Sequence, residues 1–467
     1  MKIQDTLSNT EQDLDTSKTV RIYLCGVTVY DESHIGHART IIVFDVLRRY
    51  LENKGTWTEF IQNFTDVDDK IINRAQREET TAEKISAKYI ENYFHDFDGL
   101  NVRRATNYPK ATEHIDDIIE FIKKLIEKQI AYVSKNGVYF AVSKFPEYGK
   151  LSKKKIDELQ SGSRIEIDGE KKDPLDFALW KFSDIEPAWQ SPWGKGRPGW
   201  HIECSAMSIK YLGENFDIHG GGRDLIFPHH ENEIAQSESF TESQFAKIWM
   251  HVGMVTINGE KMSKSLGNIK TIKHVLENWG PNIIRLFCLS GHYSKPIDYS
   301  EELLNENLIK WRQAETCYYE LIHAKERINH EEEREDINQI IEKINSDFDK
   351  ALEDDMNTHF ATSAFFQIVK ETNRLAADEI LVKKDADKIK IKYERMLKIL
   401  GLAIPKITEE EKIKVDKMIL DREQFRKEKK FDEADKIREK LNEMKVELID
   451  HKKGTIWMRK EDIKAEN

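Results

Sequence analysis

The chain has 467 residues, 39% hydrophobic and 34% charged, with a net charge of −11. At about 150 residues per domain this length predicts roughly three folding units, and the apolar content excludes wholesale disorder. The net charge excludes a protein that holds nucleic acid by bulk positive field alone. The longest apolar run, Val138 to Val142, has five residues, against the ~20 of a membrane-spanning helix, so no membrane partner is expected. Met1 to Asp5 lacks the basic and then apolar order of a secretory signal, which predicts a cytoplasmic protein. Cys25, Cys204, Cys288 and Cys317 lie far apart, and in a reducing compartment they are expected to be free thiols.

In chain order, Val20 to Leu24 reads as a strand. Arg39 to Lys54 reads as a helix, with Ile42, Val46, Leu47, Tyr50 and Leu51 at helical spacing and Gly55 at its end. Trp57 to Phe64 is again strand-like, and a crossover of this length implies a parallel sheet with its ligand crevice at the carboxyl ends of the strands. Cys25 to His37 falls at that edge. Residues 110–185 combine helical segments with a β-prone run at 138–142 and read as an insertion. Pro174, Pro187, Pro192 and Pro198 alternate with Trp180, Trp189, Trp193 and Trp200, which predicts irregular backbone.

A second α/β unit follows: a helix from His201 to Leu212 closed by Gly213, a strand from Phe216 to His219, a helix from His229 to Phe240 and a strand from Trp249 to Val252. From Ile297 to Leu400 there are 104 residues without glycine or proline. Apolar positions recur there at Leu304, Leu308, Trp311, Tyr318 and Leu321, which predicts a helical bundle. The acidic run Glu331 to Asp336 reads as a solvated helix end. Residues 407–445 look helical and highly charged, and Val446 to Trp457 suits a small β unit. Asp421 to Lys460 carries 13 Lys and Arg against 10 Asp and Glu, a local positive excess suited to a polyanion.

His34-Ile35-Gly36-His37 sits between the first strand and the first helix. Two imidazoles at i and i+3 near a helix start can donate N–H groups toward a bound anion, and Gly36 has no Cβ to block its approach. Taken alone the pair reads equally as two surface or capping histidines. Lys261-Met262-Ser263-Lys264-Ser265 follows the turn-forming Asn258-Gly259. Two lysines on such a loop can neutralise charge developing on a leaving pyrophosphate, although an isolated charge cluster is ordinarily solvated surface. A histidine pair in the first half of an α/β sheet, followed by a lysine loop after its second half, resembles the class I aminoacyl-tRNA synthetases.

Cys25-Gly26-Val27-Thr28-Val29-Tyr30-Asp31, Asn63 to Lys70, Gly199 to Ser205, Asp217 to Gly222, Phe227 to Glu233 and Gly454 to Trp457 narrow the resemblance to the cysteinyl-tRNA synthetases. The resemblance runs from about residue 20 to 460. It implies an α/β fold: a Rossmann-like parallel-sheet catalytic core split by an insertion, followed by a helical bundle and a small mixed α/β C-terminal domain. The expected segments are 1–110 and 199–255 for the two core halves, 111–198 for the insertion and 256–300 for the lysine loop and stem contacts. The bundle is expected over 301–400, binding tRNA, and an anticodon-recognition domain over 401–467.

The resemblance further implies a monomeric ligase that uses ATP to convert L-cysteine to cysteinyl-adenylate and transfers it to the 3′ end of tRNA(Cys). His34, Gly36, His37, Lys261 and Lys264 would contact ATP, which brings Mg²⁺. Thr65 and Trp200 would line the amino-acid pocket, with His201 and His219 packing or donating beneath it. Phe431, Asp435, Arg438 and Asp450 would meet the anticodon, Phe431 standing where relatives often have Trp.

One Zn²⁺ would sit on Cys25, Cys204, His229 and Glu233. His229 and Glu233 at i and i+4 share a helical face, and two thiolates with an imidazole and a carboxylate form a reasonable zinc set. The gap from Cys25 to Cys204 is no spacing motif, so the residues alone equally fit a buried thiol and a helical His–Glu pair. Zinc would select the substrate by taking its sulfur as thiolate, because shape rejects the near-isosteric serine by only ~10²-fold. Two other functions fit parts of the pattern: transfer of cysteine to a small amine such as an amino sugar, and an inactive RNA-binding paralogue. The tail at 401–467 argues against the first, and the intact motifs argue against the second.

Overall fold

The computed structural model describes residues 1–154, 171–262, 266–327, 335–405, 407–451, 454–459 and 463. Two compact units result. One holds Met1–Lys273, Gly291–Tyr299 and Glu353–Met356, and the other His274–Ser290, Ser300–Leu352 and Asn357–Asn467.

The first unit is built on a four-stranded sheet in the order Ala246–Val252, Phe216–Gly222, Val20–Thr28, Thr58–Thr65, with every neighbouring pair parallel. Ile22 sits opposite Ile218 on one side and Phe60 on the other. The near-continuous burial of Val20 to Cys25 is what a parallel strand covered on both faces requires. The helix Ile35–Asn53 makes the first crossover, with Ile42, Val46 and Leu47 fully buried. Each such side chain contributes about 1.5–3 kcal/mol. Between Leu24 and Val27 the register with Thr58–Thr65 slips. A Cβ on Gly26 would lie 1.6 Å from the Asn63 carbonyl oxygen, and the Asn63 side chain accepts the Gly26 N–H at 2.9 Å. Only glycine permits this approach, and an irregularity of this kind re-aims the side chains beside it, here Cys25.

The run expected at 138–142 is one strand, Gly137–Phe140, of a four-stranded antiparallel sheet with Ala131–Val133, Phe177–Phe182 and Gly196–Pro198. Its partners are short or lie among prolines and tryptophans, which hides their periodicity. Ile118, Phe121, Ile122 and Leu125 of the helix Ile115–Glu127 bury against this sheet and share a core with Ile202 and Ala206. A hairpin of Lys2–Asp5 and Thr10–Asp13, too polar to announce itself, docks on the last sheet strand. Asp5 accepts the Trp249 N–H at 2.8 Å, and the Thr6 N–H bonds the Trp249 carbonyl at 3.0 Å. Asn258 and Gly259, with φ of +54° and +75°, turn Val255–Ile257 into Glu260–Lys261 as the dipeptide predicts.

In the second unit the bundle consists of Glu301–Arg327, Glu335–Glu353, Thr358–Ala377 and Lys383–Leu400. Of the acidic run, 331–334 lie outside the described residues, and Glu335 and Asp336 open a helix. The segment Ile272–Leu289 is two helices meeting at a kink, where Gly280, with φ of +72°, ends the first and Pro281 opens the second. Helices Glu409–Lys427 and Phe431–Glu443 and the hairpin Val446–His451/Gly454–Arg459 form the tail around Val415, Ile419, Leu441, Val446 and Trp457. Trp457 donates to Asp416 at 2.7 Å. No helix among the described residues is long and apolar enough to cross a membrane.

Asp96, 3% exposed on the helix Ala82–Gly99, is pushed up to about 6 by burial and by Glu32 nearby. The folded chain therefore holds this proton more tightly than the unfolded chain, and stability falls as pH rises from about 4 to 6. Asp96→Asn is expected to stabilise the protein by about 1–2 kcal/mol at pH 7.5 and by nothing at pH 4, read by urea unfolding at both pH values. An equal effect at both would remove titration as the cause.

Candidate active site

The four expected metal ligands meet at the carboxyl edge of the sheet. Cys25 comes from the first strand, Cys204 from the helix Trp200–Leu212, and His229 and Glu233 from the turn and helix spanning Ile226–Thr241. Their donor atoms all lie within 4.8 Å of one another, and all four residues are buried. The two sulfurs are 3.8 Å apart; Cys25 Sγ lies 3.4 Å from Glu233 Oε1, which is 3.0 Å from His229 Nε2. Tetrahedral zinc with sulfur at about 2.3 Å sets neighbouring sulfurs about 3.8 Å apart, so the cluster has the edge length such an ion demands.

Electrostatics prepare the same donors. A hydrogen bond from Cys25 draws the Cys204 thiol down to about 6 against the opposing effect of burial. Burial pushes Cys25 well up. Burial also opposes charge on His229, yet Glu233 and Cys204 raise it to about 10. Glu233 is held well below the usual carboxylate range, despite burial, by His219 and His229. Without a cation, His229 thus balances the anions on Cys204 and Glu233, and a divalent ion would displace its proton.

A second ring of groups orients these donors. His219 Nε2 lies 2.8 Å from Glu233 Oε2, leaving Oε1 to face the cluster. His229 Nδ1 and His201 Nδ1 lie 3.0 Å apart, which holds the His229 ring with Nε2 toward the cluster. Trp200 stacks on His229 at 4.3 Å and 21°. His230 Nε2 approaches Cys25 Sγ at 3.3 Å, His230 Nδ1 meets His251 Nε2 at 2.7 Å, and His251 Nδ1 meets the Thr6 hydroxyl at 2.8 Å. Cys25, His219, His230 and Glu233 form an alternative donor group. His230 is engaged at both ring nitrogens and His219 through Nε2, and the first set, with two thiols, an imidazole and a carboxylate, has the donor chemistry zinc prefers. Sequence reasoning assigned nothing to His230, His251 or Thr6. The doubled histidine at 229–230 was the one available signal.

Cys25 also lines a cleft of ≈ 610 Å³ shared with His34, Gly36, His37, Trp200, Lys261 and Met262. His34 caps the helix Ile35–Asn53. Its Nδ1 accepts the Gly36 N–H at 3.2 Å, while His37 Nδ1 accepts the His34 N–H at 3.4 Å. The two rings stack at 3.7 Å. Burial and His34 hold His37 well below its ordinary value, so it offers a neutral Nε2–H. Lys261, 62% exposed, stands 3.9 Å from Asp224. Lys264 lies outside the described residues.

Thr65, 2% exposed, donates to Glu203 at 2.9 Å and pairs with Thr28, which lines the cleft while Thr65 itself does not. Phe431, Asp435 and Arg438 share one exposed face of their helix at i, i+4 and i+7. Asp450 is engaged by Arg422 at 3.1 Å and by Thr455 at 2.7 Å.

Residues 11–308 match the family described as tRNA synthetases class I (C) catalytic domain, and residues 347–404 match the DALR domain. The Cysteine--tRNA ligase of Thermodesulfovibrio yellowstonii is 47% identical, the alignment covering 98% of this chain and 99% of that protein. The enzyme of the same name from Carboxydothermus hydrogenoformans is 46% identical over 98% of this chain and 100% of its own length. Among solved structures, Mycobacterium tuberculosis methionyl-tRNA synthetase in complex with methionyl-adenylate superposes with a TM-score of 0.62 at 14% identity, covering 82% of this chain and 89% of that one. That likeness supports the fold. The chain belongs to the cysteine-tRNA ligase family of class I aminoacyl-tRNA synthetases.

Proposed function

We propose that this chain is a cysteine-tRNA ligase that activates L-cysteine with ATP on the cleft described above and selects it over serine through a zinc ion on Cys25, Cys204, His229 and Glu233. The observation that carries this reading is that Cys25 belongs both to the donor cluster and to the wall of the cleft that holds the histidine pair and Lys261. Bound there, zinc supplies a thiophilic Lewis acid beside the amino-acid side chain.

The protein's own groups position ATP and balance its charge. The Nε2–H groups of His34 and His37, at the positive end of their helix, hold the phosphates, with Gly36 leaving room for them. Lys261 and Lys264 meet the pyrophosphate as charge builds on it, with Mg²⁺ carried in by ATP. Trp200 walls the amino-acid side of the cleft and holds the His229 ring. Thr65, fixed by Glu203, backs Thr28 of the cleft wall from the neighbouring strand. Positioning and charge stabilisation dominate such a transfer, so no residue needs to act as a proton carrier in the activation step.

ATP–pyrophosphate exchange run with each amino acid, with and without a zinc chelator, tests this reading. Exchange is expected with cysteine alone and is lost on chelation. Equal exchange with serine, or indifference to the chelator, would refute zinc selection.

The helix face of Phe431, Asp435 and Arg438 is the proposed anticodon contact, with Asp450, held by Arg422 and Thr455, as a further candidate. Arg438→Ala is expected to weaken charging of tRNA(Cys) by roughly 10-fold, about 1–3 kcal/mol for a base-reading arginine, while cysteine activation stays at the parent rate. Parallel charging and exchange assays check this. Unchanged charging would remove Arg438 from recognition.

A further inference from the structure

Arg39 stands two residues after His37 on the helix Ile35–Asn53 and is fully buried. Its guanidinium donates to four backbone carbonyls: Nη1 to Gly253 at 3.0 Å and Met254 at 3.1 Å, and Nη2 to His292 at 3.2 Å and Lys295 at 2.6 Å. Burying a permanent cation costs several kcal/mol, so apolar packing alone would be served better by another residue. What the fork accomplishes here is geometric, because each Nη serves one of two chain segments.

Those segments are the roots of the hairpin that presents Lys261. Gly253 and Met254 run directly into Val255–Ile257, whose hairpin partner is Glu260–Lys261. His292 to Lys295 lead into Ile297–Asp298, which pairs in parallel with Val255 and Thr256. The two roots touch closely: the Gly253 N–H bonds the Tyr293 carbonyl at 2.8 Å, and a Cβ on Gly253 would lie 2.2 Å from the Lys295 carbonyl oxygen. The returning end of the lysine loop is tied to the same helix start. The Ile35 N–H bonds the Lys270 carbonyl at 3.0 Å, the Ile272 N–H bonds the Ser33 carbonyl at 2.9 Å, and His34 bridges to Thr271. Backbone bonds fix the exit of the segment, and Arg39 fixes its entry.

We propose that Arg39 is a positioning residue for adenylate formation, setting the separation between the histidine pair and Lys261 by holding the root of the Lys261 hairpin to the histidine helix. The inference rests on reading the cleft as the ATP site. Arg39 touches no substrate and acts through Gly253 and Met254. A lysine at this position keeps the charge but presents a single ammonium, which cannot span four carbonyls on two segments.

Steady-state ATP–pyrophosphate exchange on full-length Arg39→Met and Arg39→Lys, with zinc content measured beside it, tests the proposal. Displacement of a catalytic group by about 1 Å costs on the order of 100-fold. The methionine variant is therefore expected to lose about 100-fold in kcat and the lysine variant about 10-fold. KM for ATP and for cysteine should stay within about threefold, with zinc per chain unchanged. A folded Arg39→Met with kcat within about threefold of the parent overturns the proposal. So does a fall in kcat matched by loss of zinc and of both substrate affinities, which marks general loosening. If the methionine variant fails to fold, the lysine variant decides by the same criteria, and failure of both to fold assigns Arg39 to stability alone. A parent chain without cysteine-dependent exchange would sink the reading of the cleft itself, whereas normal exchange in parent and variants alike would sink only the role of Arg39.

Discussion

Cys204→Ser is expected to leave the purified chain with well under one zinc ion and to slow cysteine activation by at least about 100-fold. Residues that merely orient zinc ligands cost about 10- to 100-fold when changed, which sets the floor for a ligand itself. Cys204 is 1% exposed, and its thiol is drawn down to about 6 by Cys25, so it is a thiolate at neutral pH. A serine hydroxyl stays protonated there, is a harder donor, and reaches less far from the helix Trp200–Leu212 than sulfur does. It also leaves the positive His229 short of one of the two anions beside it, a buried imbalance worth roughly 3–5 kcal/mol when a partner is removed outright. Zinc analysis, exchange kinetics and thermal unfolding on one preparation separate loss of the ion from loss of the fold. One zinc per chain together with parent-level activation would dismiss Cys204 as a ligand.

Lys261→Ala is expected to lower the rate of adenylate formation by about 100-fold while KM for cysteine stays unchanged. One preorganised group on a developing charge is worth about 2.7–4 kcal/mol in a site that excludes water. Lys261 is available for that task because little holds it elsewhere. Its distance of 3.9 Å from Asp224, with both side chains at least half exposed, describes a pair worth about 0–1 kcal/mol. Single-turnover adenylate formation measures the step directly. A parent-level rate would remove Lys261 from it, and an equal rise in KM would reassign the side chain to ground-state binding.

The parallel core was legible because buried strands and amphipathic helices carry short-range periodicity. Val20 to Leu24, Phe216 to His219 and the helix ending at Gly213 stand where that pattern puts them. The elements that escaped reading lack such a signal: the polar hairpin of Lys2–Asp5 and Thr10–Asp13, the short strands around Trp180, and the two short helices that Gly280-Pro281 divides within Ile272–Leu289. The site divides in the same way. His34 to His37 and the turn before Lys261 are contiguous in sequence and announce themselves. His229 and Glu233 are adjacent by helical spacing, but their meeting with Cys25 and Cys204 depends on strand order, which periodicity does not encode. His251 reaches His230 from an edge strand of the sheet, and Thr6 reaches His251 from a hairpin more than two hundred residues away, so only the folded chain reveals them.

The donor cluster draws Cys25 from the opening strand and its remaining members from chain laid down after the insertion. A nascent polypeptide that has left the ribosome only as far as the insertion owns a single isolated thiol. On the proposed zinc site, ion capture would wait until residue 233 has emerged and its helix has settled against the strand that carries Cys25. With zinc on the proposed site, metal uptake would become a late checkpoint in biogenesis, recording that the two separated halves of the sheet have found each other.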